Sequence, residues 1–172
     1  VAGKNTWISP YRSLVSLCEE FIKNGELSPL VEKLILNKPN PEFLAKIKDE
    51  NNSEKIYNFA KKLDSSYLAI QGPPGTGKST YLGEVIAKLH NDGKKIGIVG
   101  PSYKATLNLV KKITPHLTKT QHVNFIGGGK ELQNEIASLD KIKIIKSLNE
   151  ADSRLIATYV NSISHANYRQ YF

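Results

Sequence analysis

Cysteine is nearly missing from this sequence of 172 residues, and the single copy, Cys18, can form no internal disulfide. It falls on the apolar side of a helical pattern, which predicts a buried structural thiol rather than a nucleophile. Methionine is absent even from the first position, Val1, so a fragment or a processed product is expected. Histidines are few, and His90, His116, His122 and His165 are scattered without metal-ligand spacing, which speaks against a zinc site. No apolar run approaches membrane-spanning length, and the N-terminus lacks a charged-then-apolar signal pattern. A cytoplasmic protein with no membrane partner is therefore the expectation. Acidic residues are the scarcer charge, 16 Asp and Glu against 24 Lys and Arg, for a formal net charge of +8. Such a balance suits a polyanion, nucleic acid above all, although a lysine-rich solvated surface accounts for it equally well. With 40% hydrophobic and 23% charged residues the chain is otherwise ordinary for a globular protein. Its length fits one domain with a sizeable core, or one core with a helical extension. No internal repeat or low-complexity tract occurs.

What is present is a complete phosphate-loop (Walker A) motif. The apolar run Tyr67-Leu-Ala-Ile-Gln71 predicts a short strand that feeds Gly72-Pro-Pro-Gly-Thr-Gly-Lys-Ser79, and a helix-patterned segment leaves it. Gly72, Gly75 and Gly77 let the backbone curl so that successive N–H groups surround an anion, and the helix beginning near Lys78 adds its positive end. Lys78 would reach the β- and γ-phosphates, and the Ser79 hydroxyl would complete the coordination of Mg²⁺. Pro73 and Pro74 stiffen the loop and leave the binding to the later amides. The bland alternative is a glycine-rich turn with no ligand.

Helix-like segments precede the loop. Ser9-Pro10 opens one with Leu14, Leu17, Cys18, Phe21 and Ile22 at helical spacing until Gly25. Ser28-Pro29 opens another with Leu30, Val31, Leu34 and Ile35 on one face. Asn37 to Pro41 reads as a turn or linker, Pro41 as the start of a short helix with Phe43, Leu44 and Ile47, and Ser53 as the cap of a segment with Ile56, Phe59, Ala60 and Leu63. These stripes predict core packing and no chemistry. Beyond the loop, a helix is predicted from about Lys78 to Asn91, burying Leu82, Val85, Ile86 and Leu89, with Gly93 past its end. A strand over Lys95 to Val99 follows, then a helix opened by Pro101-Ser102, with Leu107, Val110 and Ile113 inward, that Pro115 ends. His122 to Ile126 reads as a strand, Gly127-Gly-Gly129 as a flexible connector or a second anion nest, and the stretch with Leu132, Ile136 and Leu139 as a helix. Arg154 to Val160 is the last strand, before a polar helix-like tail. Strands alternating with helices predict an α/β fold, a parallel sheet with helices on both faces. The division expected is a helical N-terminal extension over 1–63 and a partial P-loop domain over 64–172.

Tyr67 to Ile113, with Ile70-Gln-Gly-Pro-Pro-Gly-Thr-Gly-Lys-Ser-Thr80 and Gly97-Ile-Val-Gly-Pro-Ser-Tyr-Lys-Ala105, closely resembles the first RecA-like domain of superfamily 1 helicases. The lead-in Leu63 to Gln71 is most similar to the helicase part of bacterial fusions with a RecB-like nuclease. The resemblance implies an ATP-driven motor on single-stranded DNA or RNA. Gly72, Pro73, Pro74, Gly75, Thr76, Gly77, Lys78, Ser79 and Thr80 would hold ATP, with Lys78 and Ser79 catalytic and Mg²⁺ on Ser79. Pro101, Ser102, Tyr103 and Lys104 would touch the strand: Ser102 through its hydroxyl and helix N-terminal amides, Lys104 through its charge, and Tyr103 by stacking on a base.

Two departures from the family stand out. Glu54 and Lys55 occupy the neighbourhood of its adenine-reading glutamine. The acidic Walker B strand, expected after Val160, is not reached before Phe172, and Asp140, Glu150 and Asp152 lie in no apolar strand. The second RecA-like domain, which supplies an arginine finger in the family, is also missing, and a fused nuclease is a further partner the resemblance allows. The chain is thus expected to bind nucleotide better than it hydrolyses it. Left open are another P-loop enzyme, an AAA-type ATPase or a small-molecule kinase with residues 121–150 as lid, and a non-catalytic nucleotide- or nucleic-acid-binding module.

Overall fold

Ser9-Pro10 does sit in the opening turn of a helix, α1 (Ile8–Asn24), and Gly25 ends it with φ +73°, a conformation that suits a residue without Cβ. Pro29 opens α2 (Pro29–Ile35) behind Ser28, and Ser53 opens α3 (Ser53–Lys61). The computed structural model describes residues 8–36, 53–64, 67–71, 73 and 75–159, and the chain forms two compact units, 1–78 and 79–172. The linker and helix predicted between Asn37 and Ile47 and the C-terminal tail lie outside the described residues.

In the first unit the predicted core stripes are only partly covered, with Leu17, Val31, Ile56, Phe59, Ala60 and Leu63 half-buried. Leu14 (59%), Phe21 (48%), Ile22 (82%) and Ile35 (62%) are exposed, α3 has no fully buried residue, and Cys18 is an exposed thiol rather than a buried one. Helical spacing identifies residues that share a face; only a neighbouring element can bury that face. The predicted strand Tyr67–Gln71 is likewise not a strand, and the sheet among the described residues is formed by four others. An apolar run supplies β-propensity, whereas a strand requires a hydrogen-bonding partner edge.

The second unit follows the predicted alternation. Helix α4 (Lys78–Asn91) ends before Gly93, at φ +79°, and leads to β1 (Ile96–Gly100). Then come α5 (Tyr103–Ile113), a 3₁₀ turn at Thr114–His116, β2 (Val123–Ile126), α6 (Lys130–Ala137), β3 (Ile142–Ile145), a second 3₁₀ turn at Leu148–Glu150, and β4 (Leu155–Tyr159). All pairings are parallel, in the order β1-β4-β2-β3, with Ile96 opposite Leu155, Val123 opposite Ile142 and Phe125 opposite Ala157. Every residue of β2 is buried, as expected of a parallel strand covered on both faces. On one face Phe125, Val123, Leu155, Ala157 and Ile98 pack with Leu107, Val110, Ile113, Ala87 and Ile136 from the helices. On the other, Ile126, Ile145 and Ile156 pack with Leu148 and Ala151. Residues 121–150 therefore build the sheet and its covering, and do not form a lid. Strand β3 escaped prediction because Lys141-Ile-Lys-Ile-Ile145 is short and interrupted by lysine, a residue common on edges.

Glycine sets two close approaches here. Gly83, a buried residue of α4, lies so near α5 that a Cβ would stand 2.4 Å from the Lys112 carbonyl oxygen. The helix thus buries Gly83 and Ala87 beside Val85, while Leu82, Ile86 and Leu89 are only half-buried. Gly100 closes β1 where a Cβ would meet Thr106 Oγ1 at 2.6 Å.

At the N-terminal ends of the strands, Asp152 joins three segments. His122 Nε2 lies 2.7 Å from its Oδ1, Lys143 Nζ bonds its Oδ2, and the buried Asn124 amide donates to Oδ1 at 3.0 Å while accepting from Ser153 N at 2.8 Å. Asp152 is thereby a structural carboxylate, at the end of the sheet away from the strand C-termini where α/β folds place ligands. The Lys143 and His122 bonds hold its carboxyl well below the usual carboxylate range. Burial, then the nearby charges of His122 and Arg154, lower the pKa of His90 from its ordinary 6.5. A base depressed in the fold is protonated first in the unfolded chain, so stability falls as pH drops through about 6.5, whereas the Asp152 contribution is lost only at far lower pH. The urea midpoint is expected to fall between pH 7.5 and 5, and His90→Gln to flatten that fall. An unchanged pH slope in the variant would assign the effect to other groups.

Candidate functional site

The phosphate loop combines local conformations that few sequences allow. Gly75 (φ +81°) and Gly77 (φ +76°) are both left-handed, as an inward-curling loop requires. Thr76 Oγ1 donates to the Pro73 carbonyl at 2.8 Å, and Lys78 Nζ donates to the same oxygen at 2.5 Å and to Thr76 Oγ1 at 3.3 Å. The ammonium is thus folded back over its own loop. Lys78 opens α4, whose first turn holds no acidic residue, so the positive helix end is not neutralised by its own side chains. Ser79 and Thr80 are exposed on that turn, and Gly72 and Pro74 lie outside the described residues. Glycine conformation, one cation, hydroxyls and a helix N-terminus form a donor set that fits a nucleotide's phosphates. Among the described residues no group of three or more His, Cys, Asp or Glu side chains could hold a metal ion. A divalent ion would come with the phosphates and rest on the Ser79 hydroxyl.

The second predicted segment occupies the turn from β1 into α5. Ser102 is the N-cap (φ −152°, ψ 159°), and its Oγ accepts from Ala105 N at 3.1 Å. Pro101, Ser102 and Lys104 are exposed, while Tyr103 is half-buried and packs on the main core. Thr106 Oγ1 lies 3.0 Å from both the Ser102 and the Thr158 carbonyl oxygens, and Thr158 Oγ1 donates to Ile126 O at 3.2 Å. These buried threonines tie the turn to β4, and β4 to β2. Gly127 and Gly128, both at φ +93°, lie against Tyr103 and Leu132. The first two of the three glycines are thus packed against side chains, while Gly129 faces open space. The glycines stand out in the sequence, whereas Thr106, Thr158 and Tyr159 do not, because their partners lie far along the chain.

A family model described as an AAA domain matches residues 48–167, more than two thirds of the chain. Neither the search of curated proteins nor that of solved structures returned a match. The matched span takes in the phosphate loop, the parallel sheet and the turn at Ser102, and the chain belongs to the AAA-domain family of P-loop, helicase-like ATPases.

Proposed function

We propose that this chain is the ATP-binding part of a nucleic-acid-dependent ATPase, a helicase-type motor acting on single-stranded DNA or RNA. The observation that carries the proposal is the loop itself: two left-handed glycines, Gly75 and Gly77, ahead of Lys78 at a helix end free of acidic residues. On binding Mg²⁺-ATP, Lys78 would leave the Pro73 carbonyl for the β- and γ-phosphates, the loop amides would surround the β-phosphate, and Ser79 would ligate Mg²⁺. Pro101, Ser102 and Lys104, exposed at one turn, would offer helix N-terminal amides, a hydroxyl and a charge to the strand backbone. The formal charge of +8 supports a polyanionic partner. A second RecA-like domain, a fused nuclease and a cytoplasmic location rest on resemblance and composition alone; among the described residues no helix is long and apolar enough to cross a membrane.

The test is a titration of the chain with a labelled single strand over a range of salt concentrations. Affinity should fall with salt, and Lys104→Ala should make the log–log slope shallower by about 0.7, the value of one phosphate contact on a single strand. ATP turnover that rises with added single strands would mark a motor rather than a passive binder. A chain that binds Mg²⁺-ATP but no strand at any salt would refute the nucleic-acid part of the proposal.

A further inference from the structure

We infer that Tyr103 is a positioning residue for strand contact, bracing the turn that carries Ser102 and Lys104 against the ends of β4 and β2 instead of stacking on a base. The inference rests on the strand-binding reading proposed above. Tyr103 is the first residue of α5, directly between Ser102 and Lys104. Its ring lies 4.8 Å from that of Tyr159, the last residue of β4, at an interplanar angle of 50°, and 6.3 Å from Phe125 of β2 at 44°. Both separations are those of interacting aromatic pairs. The phenol end rests on Gly127, where a Cβ would stand 2.3 Å from the hydroxyl and 2.7 Å from two ring carbons. Only glycine leaves room for it.

One side chain thus spans three neighbouring strand ends: the β1 turn that carries it, the end of β4 and the turn after β2. Thr106 fastens the same turn to β4 from one helical turn further on, through its bond to Thr158 O. Two attachments, one aromatic and one hydrogen-bonded, leave the segment between them little freedom. Base stacking needs an open aromatic face, and this ring is half-buried against Tyr159, Phe125 and Gly127. Hydrogen bonds to phosphate depend steeply on distance and angle. A brace on the residue between two strand-contacting side chains therefore controls both contacts at once.

The experiment compares the full chain with Tyr103→Ala, Tyr103→Phe and Gly127→Ala by fluorescence anisotropy, on an oligothymidylate and on an abasic strand of equal length. Removing the ring, or displacing it with a methyl group at Gly127, should weaken both strands alike by about fivefold, the value of one exposed charged contact. The salt slope should become shallower by about 0.7, and Tyr103→Phe, which keeps the ring, should bind as the unaltered chain does. Weakening on the thymidylate strand but not on the abasic one would mean that the ring stacks on bases, and would overturn the inference. So would unchanged binding in Tyr103→Ala and Gly127→Ala when Lys104→Ala binds less tightly, with the proposed function left standing. Should Tyr103→Ala fail to fold, Gly127→Ala carries the same comparison with the tyrosine retained. If the unaltered chain binds neither strand, the strand-binding reading fails and this inference with it.

Discussion

Replacing Lys78 by alanine is expected to weaken Mg²⁺-ATP binding by about tenfold to a hundredfold while leaving the unfolding midpoint nearly unchanged. The ammonium makes charge-assisted bonds, and one such bond to phosphate contributes about 1.5–3 kcal/mol, where 1.4 kcal/mol is a factor of ten. In the loop the same ammonium is bonded to the Pro73 carbonyl and to Thr76 Oγ1, both solvent-exposed contacts. Nucleotide binding exchanges those contacts for phosphate oxygens, so the net effect falls below the gross energy of the new bonds. Lys78→Arg should not restore full affinity, because a planar fork replaces a compact charge in a loop shaped around the latter. Calorimetric titration beside urea denaturation checks both halves of the expectation. Equal dissociation constants for the unaltered chain and Lys78→Ala would show that the loop does not hold nucleotide phosphates.

A second large effect is expected far from any ligand. Gly83→Ala should destabilise the domain by about 2 kcal/mol, although alanine raises helix propensity by about 1 kcal/mol over glycine. The added Cβ would stand 2.4 Å from the Lys112 carbonyl oxygen and 2.7 Å from its carbon. Those are backbone atoms of α5, which cannot swing aside as the end of a side chain can, so the two helices must separate. Separation would loosen Ala87, Leu107 and Val110, which pack into the main core from these helices. Gly129→Ala is the control, since φ there is −73° and nothing lies within 4 Å of an added Cβ. Urea midpoints for the two variants should differ clearly. Equal midpoints would mean that α4 and α5 can part at Gly83 without cost.

The phosphate loop was legible because its chemistry is local. Glycine conformation, the lysine and the helix start all lie within the nine residues Gly72 to Thr80, and no distant neighbour is needed to recognise them. The strands ending at Ile126 and Tyr159 were legible for a related reason, since a buried parallel strand must be apolar along most of its length. Strand order was not, because register and neighbour are decided by which edges meet. Composition suggested a strand at Tyr67 to Gln71, where none forms, and did not suggest the β3 edge, where one does.

The same division runs through the individual residues. Sequence by itself determined a P-loop protein with alternating strands and helices, because backbone conformation and hydrophobic period are properties of short stretches. Only the tertiary structure decided that Gly83 and Gly127 are sites of close approach and that Tyr103 faces inward. It also decided that Asp152 is tied to His122 and Lys143. Each of those facts depends on a neighbour distant in the chain, and one-dimensional spacing carries no record of which neighbour that is.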